Sequence, residues 1–171
     1  MEELNFDHLQ LVLDEYGREF TEKMKTSLQT KDSRGYNRVA SGALLASLRT
    51  TTEPNSNHSV YKVYLHHKPY LKYIENGTRP HWAPIDPLIR WVKEKRIPTG
   101  DGKKGNLPTE KQVAYMVQHK IAKEGTQGTP YVEQTQDVVY PKFEKRIQEA
   151  VWEDVNDAIM TQRVIISIHV V

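Results

Sequence analysis

The chain has 171 residues and a formal net charge of +2, from 24 Lys and Arg against 22 Asp and Glu. It contains no cysteine, which excludes disulfides, thiolate metal sites and a cysteine nucleophile. Only 37% of its residues are hydrophobic, a thin core for this length, although three Trp and nine Tyr distinguish it from a disordered chain. Such a composition predicts a folded protein with surface left over for partners.

The pattern of apolar residues indicates neither a membrane helix nor an export signal. No stretch approaches the roughly 20 apolar residues that a membrane-spanning helix needs. The opening residues, MEELNFDHLQ, are acidic and lack the basic-then-apolar plan of a signal peptide. We therefore expect a soluble, non-secreted protein with no membrane partner.

The first third of the chain predicts a helix, a short helix and a hairpin. The first helix covers residues 5–28, with Asn5 as its N-cap. Its apolar residues recur at three- and four-residue steps and so share one face: Phe6, Leu9, Leu13, Tyr16, Phe20 and Met24. A short helix is expected over 41–48. Residues 58–66 alternate between two faces, the pattern of a strand, and we expect them to pair with a strand at about 48–53.

A further helix and a loop are predicted in the middle of the chain. Asp86-Pro87 resembles an N-cap followed by proline at the first helical position, so a helix is expected from there to about Lys95. The Gly- and Lys-containing residues 98–107 that follow are predicted to form a mobile loop.

The strongest helix signal lies next along the chain. Thr109 and Gln112 have the spacing of a capping box, which predicts a helix from Thr109 to Lys123, closed by Gly125. Its apolar positions recur at four-residue steps and fall on one side: Val113, Val117 and Ile121, with Ala114 and Met116 flanking them.

The last part of the chain predicts a helix and then a strand. We expect Pro141 to break or restart the helix, which then runs to about Thr161. Its apolar face is predicted to contain Phe143, Ile147, Ala150, Val151, Val155 and Ala158. Residues 163–171 are apolar and β-branched, which is typical of a strand. That strand can be an internal member of the sheet or can add to the sheet edge of a neighbouring subunit.

The predicted fold class is therefore α+β. Strands and helices are segregated along the chain, so we expect a small antiparallel sheet packed against several helices, with long helices at both ends. The predicted organisation is a single domain over residues 1–162, with the mobile loop at 98–107, and residues 163–171 as a C-terminal strand or extension.

No motif in the sequence predicts an enzyme. The seven histidines occur without an HExxH or His-x-His pattern, so we predict no metal site. A GxSxG elbow is missing, and the glycines of the 100–105 loop lack the order of a phosphate- or dinucleotide-binding loop. We predict no catalytic residues and no cofactor. A hydrolase with an unrecognised His/Glu site is supported only by the presence of those residue types.

Charge is distributed unevenly. Between Arg90 and Lys104 six basic residues stand against two acids, a net charge of +4, and between Tyr131 and Met160 seven acids stand against three bases, a net charge of −4. On these grounds the candidate subunit-interface residues are Lys93, Lys95, Arg96, Lys103, Lys104, Glu149, Glu153, Asp154 and Asp157.

Three interpretations of these two segments remain open. The basic segment can contact nucleic acid. The two segments can form complementary faces that pair copies of the chain head to tail. They can also be ordinary solvated helix faces and a solubilising loop.

Four motifs follow one another along roughly residues 5–160. The first motif follows the N-terminal helix and consists of Gly42, Leu44, Ser47 and Leu48. The second consists of Tyr70, Tyr73, Ile74, Glu75, Gly77 and Thr78, and the third is a Pro-led helix with Trp91. The fourth consists of Val113, Ala114, Lys120, Ile121, Ala122, Gly125, Thr126, Gly128, Pro130 and Tyr131. In this order they resemble the neck or tail-completion proteins of tailed bacteriophages, which join the head–tail connector to the tail tube. The loop at 98–107 and residues 163–171 depart from the family's pattern.

The resemblance implies a structural virion protein without enzymatic activity. Such a subunit forms a homo-oligomeric ring at the neck or tail top, with the portal or connector and the tail proteins as partners and DNA passing through the channel. It would be made in the host bacterial cytoplasm and end in the virion. The family-motif turn comprises Glu75, Gly77, Thr78, His81 and Trp82, and we expect these residues to serve the fold. The alternative is a nucleic-acid-binding module that uses residues 90–104.

Overall fold

The computed structural model describes residues 6–31, 39–55, 60–103 and 106–168, with side chains as far as residue 160. Along these residues six helices and two strands follow one another: α1 (Asp7–Gln29), α2 (Ala43–Ser47), β1 (Arg49–Pro54), β2 (Tyr61–His66), α3 (Leu71–Asn76), α4 (Ile85–Glu94), α5 (Glu110–Glu124) and α6 (Tyr131–Ile168). The two strands form an antiparallel sheet, and the first and last helices are long. The predicted α+β class is confirmed.

The chain divides into two compact units. Unit 1 consists of Met1–Ser27, Leu48–His67 and Val132–Val171, and unit 2 consists of Leu28–Ser47 and Lys68–Tyr131. Unit 1 therefore takes most of α1, the hairpin and nearly all of α6, whereas unit 2 takes α2 to α5. The single domain over 1–162 stays a prediction.

The apolar face predicted for α1 is the face that unit 1 buries. Leu9, Phe20 and Met24 are buried, and the Tyr16 ring meets Phe143 of α6 edge to face at 5.6 Å. Burial of such side chains is the main favourable term in folding. The predicted N-cap Asn5 lies outside the described residues.

Gly17 is the position where α1 comes close to the sheet. A Cβ at this glycine would lie 2.5 Å from Thr50 Oγ1 of β1. The glycine costs helix propensity, but it allows an approach of helix to strand that any larger residue would block.

The hairpin has the predicted alternation. β1 and β2 are in register from Arg49 opposite His66 to Pro54 opposite Tyr61. Tyr61, Val63 and Leu65 are half-buried, whereas the intervening Lys62 and Tyr64 are exposed. One face of the hairpin is thus apolar, as period-two patterning predicts. Residues 58 and 59 of the predicted strand lie outside the described residues.

Two predictions about α6 are wrong. Pro141 does not break the helix, which passes through it. A proline removes one N–H donor, but Val139 and Phe143, on either side of Pro141, are both buried, so the helix keeps one continuous buried face within unit 1.

The predicted strand at 163–171 is also wrong as far as the structure describes it, because α6 continues through Ile168. β-Branched residues favour strands only weakly. Extending an existing helix adds one hydrogen bond per residue and avoids the cost of a new nucleus, and residues 161–168 contain neither Gly nor Pro.

Unit 2 is built around the pair α4 and α5. Val92, Val113 and Ala114 form its buried centre. The capping box at Thr109 is confirmed: its Oγ1 accepts from Gln112 N at 3.2 Å, and Gln112 Oε1 accepts from Thr109 N at 2.8 Å. Gly125 ends α5 as predicted.

The predicted cap of α4 is wrong. Pro84 occupies the N-cap position with extended backbone, and Asp86 lies in the first turn without a capping role. Its carboxylate still lies near the positive end of the helix dipole. Pro87 is tolerated because the first N–H groups of a helix have no partner within it.

The described residues between α4 and α5 are tied by backbone hydrogen bonds. Gly100 N donates to Pro108 O at 2.9 Å, and Gly102 N donates to Leu107 O at 3.1 Å. The Asp101 carboxylate accepts from Asn106 Nδ2 and from Lys103 N, and these bonds, the Asn106 bond foremost, lower the pKa of Asp101. The mobility of this segment stays a prediction.

Candidate assembly surfaces

Two helix ends in unit 2 meet through matching glycine turns. α3 ends at Gly77 and α5 ends at Gly125, with φ of 70° and 71° and ψ of −166° and −157°. This region of backbone space is essentially restricted to glycine. Two of the four motifs that carry the family resemblance, the second and the fourth, are therefore brought together, although Gly77 and Gly125 lie nearly 50 residues apart in sequence.

The residues after the two glycines form an antiparallel bridge. Thr78 N donates to Thr126 O at 2.9 Å, and Thr126 N donates to Thr78 O at 3.0 Å. Their hydroxyl oxygens are 3.0 Å apart and share a third hydrogen bond. Each helix end thus satisfies the backbone groups of the other.

The glycines also allow the two backbones to approach. A Cβ at Gly77 would overlap the carbonyl oxygen of Thr126, and one at Gly125 would overlap that of Thr78. Glu75 completes the arrangement, because its Oε1 accepts from Tyr131 N at 3.1 Å at the start of α6. Glu75, Gly77 and Thr78 therefore serve the fold.

His81 and Trp82 lie against α5. His81 N donates to Ile121 O at 3.4 Å, and Nδ1 of His81 lies 2.9 Å from Arg79 O. The Trp82 ring meets the His119 ring edge to face at 5.1 Å. Trp82 is nevertheless 65% exposed, so most of its apolar surface faces water.

The basic candidates occupy different environments. Lys93 and Lys103 are exposed and each lies near a carboxylate, Glu110 at 3.2 Å and Asp101 at 3.8 Å respectively. Arg96 is exposed and has a positive φ of 50°. Lys104 lies outside the described residues.

Lys95 has a structural role. It is half-buried, and its ammonium group donates to the carbonyl of Val39. This bond ties the end of α4 to the segment before α2, so Lys95 is not a surface charge of the kind that the sequence predicts.

The acidic candidates separate into three exposed residues and a buried one. Glu149, Glu153 and Asp157 are exposed on α6, with Glu149 paired to Lys145 at 3.2 Å. Asp154, in contrast, is 4% exposed. The prediction that Asp154 lies on an interface surface is wrong, because its carboxylate is enclosed within unit 1.

Asp154 caps α1. Its Oδ1 accepts from His8 N and its Oδ2 from Leu9 N, both at 2.9 Å, at the start of α1. These N–H groups have no partner within the helix, and an anion there is favoured by the helix dipole. The same carboxylate lies 2.8 Å from His8 Nδ1, and this hydrogen bond raises the pKa of His8.

The two units carry charges of opposite sign. Counted over the sequence, unit 1 has nine Lys and Arg against 15 Asp and Glu, a net charge of −6. Unit 2 has 15 Lys and Arg against seven Asp and Glu, a net charge of +8. The imbalance seen in two short segments thus extends over both compact units and exceeds what the segments alone suggest.

Sequence reasoning missed several exposed apolar side chains. On α6 they are Val138, Tyr140, Trp152, Ile159 and Met160, and on α5 they are Tyr115 and Met116. Trp152 falls outside the apolar face predicted for α6, which was a usable signal. Met116 was expected to flank the buried side of α5, but it is 56% exposed.

Within the described ranges, no group of three or more His, Asp or Glu residues is placed to hold a metal ion. No helix in that part of the chain combines the length and the apolar character needed to cross a bilayer. Comparison with protein-family models, with curated proteins and with solved structures found no match.

Proposed function

We propose that this chain is a structural subunit of a tailed-phage virion, which assembles head to tail into a ring at the neck or the top of the tail. The observation that carries the proposal is the charge of the two compact units, −6 and +8. The resemblance of its four motifs, in their order, to the neck and tail-completion proteins is the reason why the proposal names that family.

Opposite charges on two parts of one chain favour contacts between unlike surfaces of neighbouring copies. Contacts of this kind are heterologous, and they produce closed rings when the rotation between copies closes. Complementary charge steers the encounter and suppresses wrong pairings such as acidic against acidic.

In this proposal the protein acts as a structural connection between two parts of the virion. The ring joins the portal or connector to the tail, leaves a channel through which DNA passes, and catalyses no reaction. The protein therefore belongs in the virion, after synthesis in the host cytoplasm.

Native mass spectrometry across a salt series tests the proposal. At low salt we expect ring-sized oligomers, which negative-stain microscopy displays as closed particles, and we expect them to dissociate as salt shortens the range of electrostatic attraction. A protein that stays monomeric at every salt concentration contradicts the proposal.

A charge-reversal pair sharpens this test. Lys93→Glu with Lys103→Glu reduces the positive charge of unit 2 and should weaken assembly. Lys23→Glu with Lys62→Glu in unit 1 is the matched control, because it also replaces two exposed lysines but makes the acidic unit more acidic. Equal weakening by both changes would mean that net charge alone acts.

The alternative is a nucleic-acid-binding module that uses residues 90–104, and the net charge of +8 on unit 2 favours it. Such binding is salt-dependent, because phosphate contacts release counterions. A gel shift with duplex DNA near physiological salt, lost in the Lys93→Glu and Lys103→Glu variant, would support the alternative.

A further inference from the structure

We infer that the outer face of α6 in one copy docks on the α5 face of unit 2 in the next copy. This inference rests on the proposed head-to-tail assembly and names the two surfaces that make it. We define the outer face of α6 as Glu149, Trp152, Glu153, Asp157, Ile159 and Met160. We define the α5 face as Trp82, Tyr115, Met116, His119, Lys120 and Lys123.

The outer face of α6 combines exposed apolar side chains with acids. At 100° per residue, Trp152 and Ile159 fall opposite to buried Phe143, Ala150 and Asp154, and Glu149 and Met160 lie beside them on the same half of the helix. Glu153 and Asp157 are exposed at the edge of this face that is nearer to the buried side. Trp152 is 67% exposed, and Ile159 and Met160 lie about two turns further along on the same side. Exposed apolar side chains grouped in this way mark interaction sites.

The α5 face has the complementary composition. Tyr115, Met116 and His119 are exposed along one side of α5, and Trp82 lies against His119 at 5.1 Å between ring centroids. Lys120 and Lys123 are exposed on the same side, where they add two positive charges beside the aromatic rings.

The two faces match in the way that stable interfaces do. Each has large apolar side chains that can form a desolvated centre and charged side chains that can form the rim. The rims have opposite signs, three acids on α6 and two lysines on α5, which agrees with the charges of the units to which they belong. Trp is among the residues that most often dominate binding energy.

A second copy fits the outer face of α6 better than nucleic acid does. The three acids of that face repel phosphates, and they account for much of the negative charge of α6. The α5 face by itself has the aromatic and basic composition of a nucleic-acid surface, so DNA is the competing occupant that the experiment must exclude.

A mixing experiment tests the pairing. Trp152→Asp disables the outer face of α6 and leaves the α5 face intact, whereas Trp82→Asp does the reverse. Each variant alone should bind its own copies about 30-fold more weakly or worse, the loss typical of a hot-spot residue. An equimolar mixture should form a heterodimer and stop there, because only one productive pair of faces remains.

The controls separate docking from folding. Leu11→Asp and Leu107→Asp also place an acid at an exposed leucine, one in each unit, and should assemble as the wild type does. Circular dichroism checks that all variants keep their helix content. Lys120→Glu with Lys123→Glu replaces Trp82→Asp if that variant loses helix, since it spares the Trp82–His119 contact.

The outcomes distinguish this inference from the proposed function. Wild-type-like assembly of both tryptophan variants, or a mixture that forms no heterodimer, overturns the inference while the assembly proposal stands. A wild-type protein that never assembles overturns both. If Trp82→Asp abolishes binding to a labelled DNA oligonucleotide and leaves self-association unchanged, the α5 face belongs to nucleic acid and the inference fails.

Discussion

Unit 1 and unit 2 are held together by different kinds of contact. Unit 1 joins its two long helices through side chains: Asp154 with the start of α1, Glu15 with Arg146, and Glu19 with Lys142. Unit 2 packs α4 against α5 through apolar side chains, but it joins the ends of α3 and α5 through backbone groups that meet at Gly77 and Gly125. The junction of the long helices in the acidic unit therefore depends on the identity of side chains, whereas the junction of α3 and α5 in the basic unit depends on the absence of side chains at two positions.

The largest expected effect tests the dependence of unit 2 on glycine. Gly77→Ala places a Cβ on the Thr126 carbonyl and forces alanine into glycine-only backbone space. We expect a loss of about 3 kcal/mol or more in the free energy of unfolding, measured by urea denaturation. Gly42→Ala is the control: its φ of 78° is also positive, but no atom lies within 4 Å of the added Cβ, so we expect about 1 kcal/mol. An equal loss of unfolding free energy in both variants would contradict the explanation that Gly77 is needed for the close approach of its backbone to Thr126.

The next largest effect tests the dependence of unit 1 on side chains. Asp154→Ala leaves the N–H groups of His8 and Leu9 without their acceptor at the start of α1. We expect about 2 kcal/mol of destabilisation in the same denaturation assay. Glu153→Ala removes one neighbouring exposed acid from the same helix and should stay within about 0.5 kcal/mol of the wild type. A similar loss in both variants would mean that the charge of α6, rather than the cap, matters.

An intermediate effect is expected at the one glycine on which unit 1 depends. Gly17→Ala improves helix propensity by up to about 1 kcal/mol but brings a Cβ to 2.5 Å from Thr50 Oγ1. We expect net destabilisation of about 1 kcal/mol. In a Thr50→Ala background the same change should be neutral or stabilising, which a double-mutant cycle measures. Additive effects would show that the contact does not limit the approach of α1 to β1.

The smallest effect is a dependence of unit 1 on pH. The hydrogen bond to Asp154 raises the pKa of His8 in the folded state. Its stabilising contribution is therefore fully present below the unfolded pKa of about 6.5 and is lost as pH rises through the higher folded value. Thermal unfolding of wild type and His8→Gln, followed from about pH 5.5 to about pH 8.5, should show the difference in Tm shrinking with pH. A constant difference would exclude the titration of His8 as its cause.

Local signals predicted most of the secondary structure. The capping box at Thr109, the spacing of apolar residues in α1 and the alternation in β2 each depend on neighbours in sequence, and all three are confirmed. The capping role of Asp154 could not be predicted, because the N–H groups that its carboxylate accepts from lie at the start of α1, 145 residues away in the chain. The helical spacing near Asp154 did contain a usable signal, because Asp154 follows Ala150 by four residues and so falls on the apolar face predicted for α6, whereas Glu153 does not.

The candidate surfaces were predictable only in part. The opposite charges of two segments were visible in sequence, but the division of the whole chain into an acidic and a basic unit required the fold. The relation between the two Gly-Thr turns was equally out of reach, since each motif alone has the appearance of an ordinary helix end. The tail after residue 160 was misread because strand propensity outweighed the simpler continuation of α6.

The bridge between Thr78 and Thr126 has a consequence for local opening. Each amide proton is protected by the carbonyl of the other residue, so neither helix end can fray without releasing its counterpart. Amide hydrogen exchange at the two threonines should therefore report one shared opening event with one free energy, as in a cooperative unit. In unit 2 the ends of α3 and α5 then unfold and refold locally as one cooperative unit.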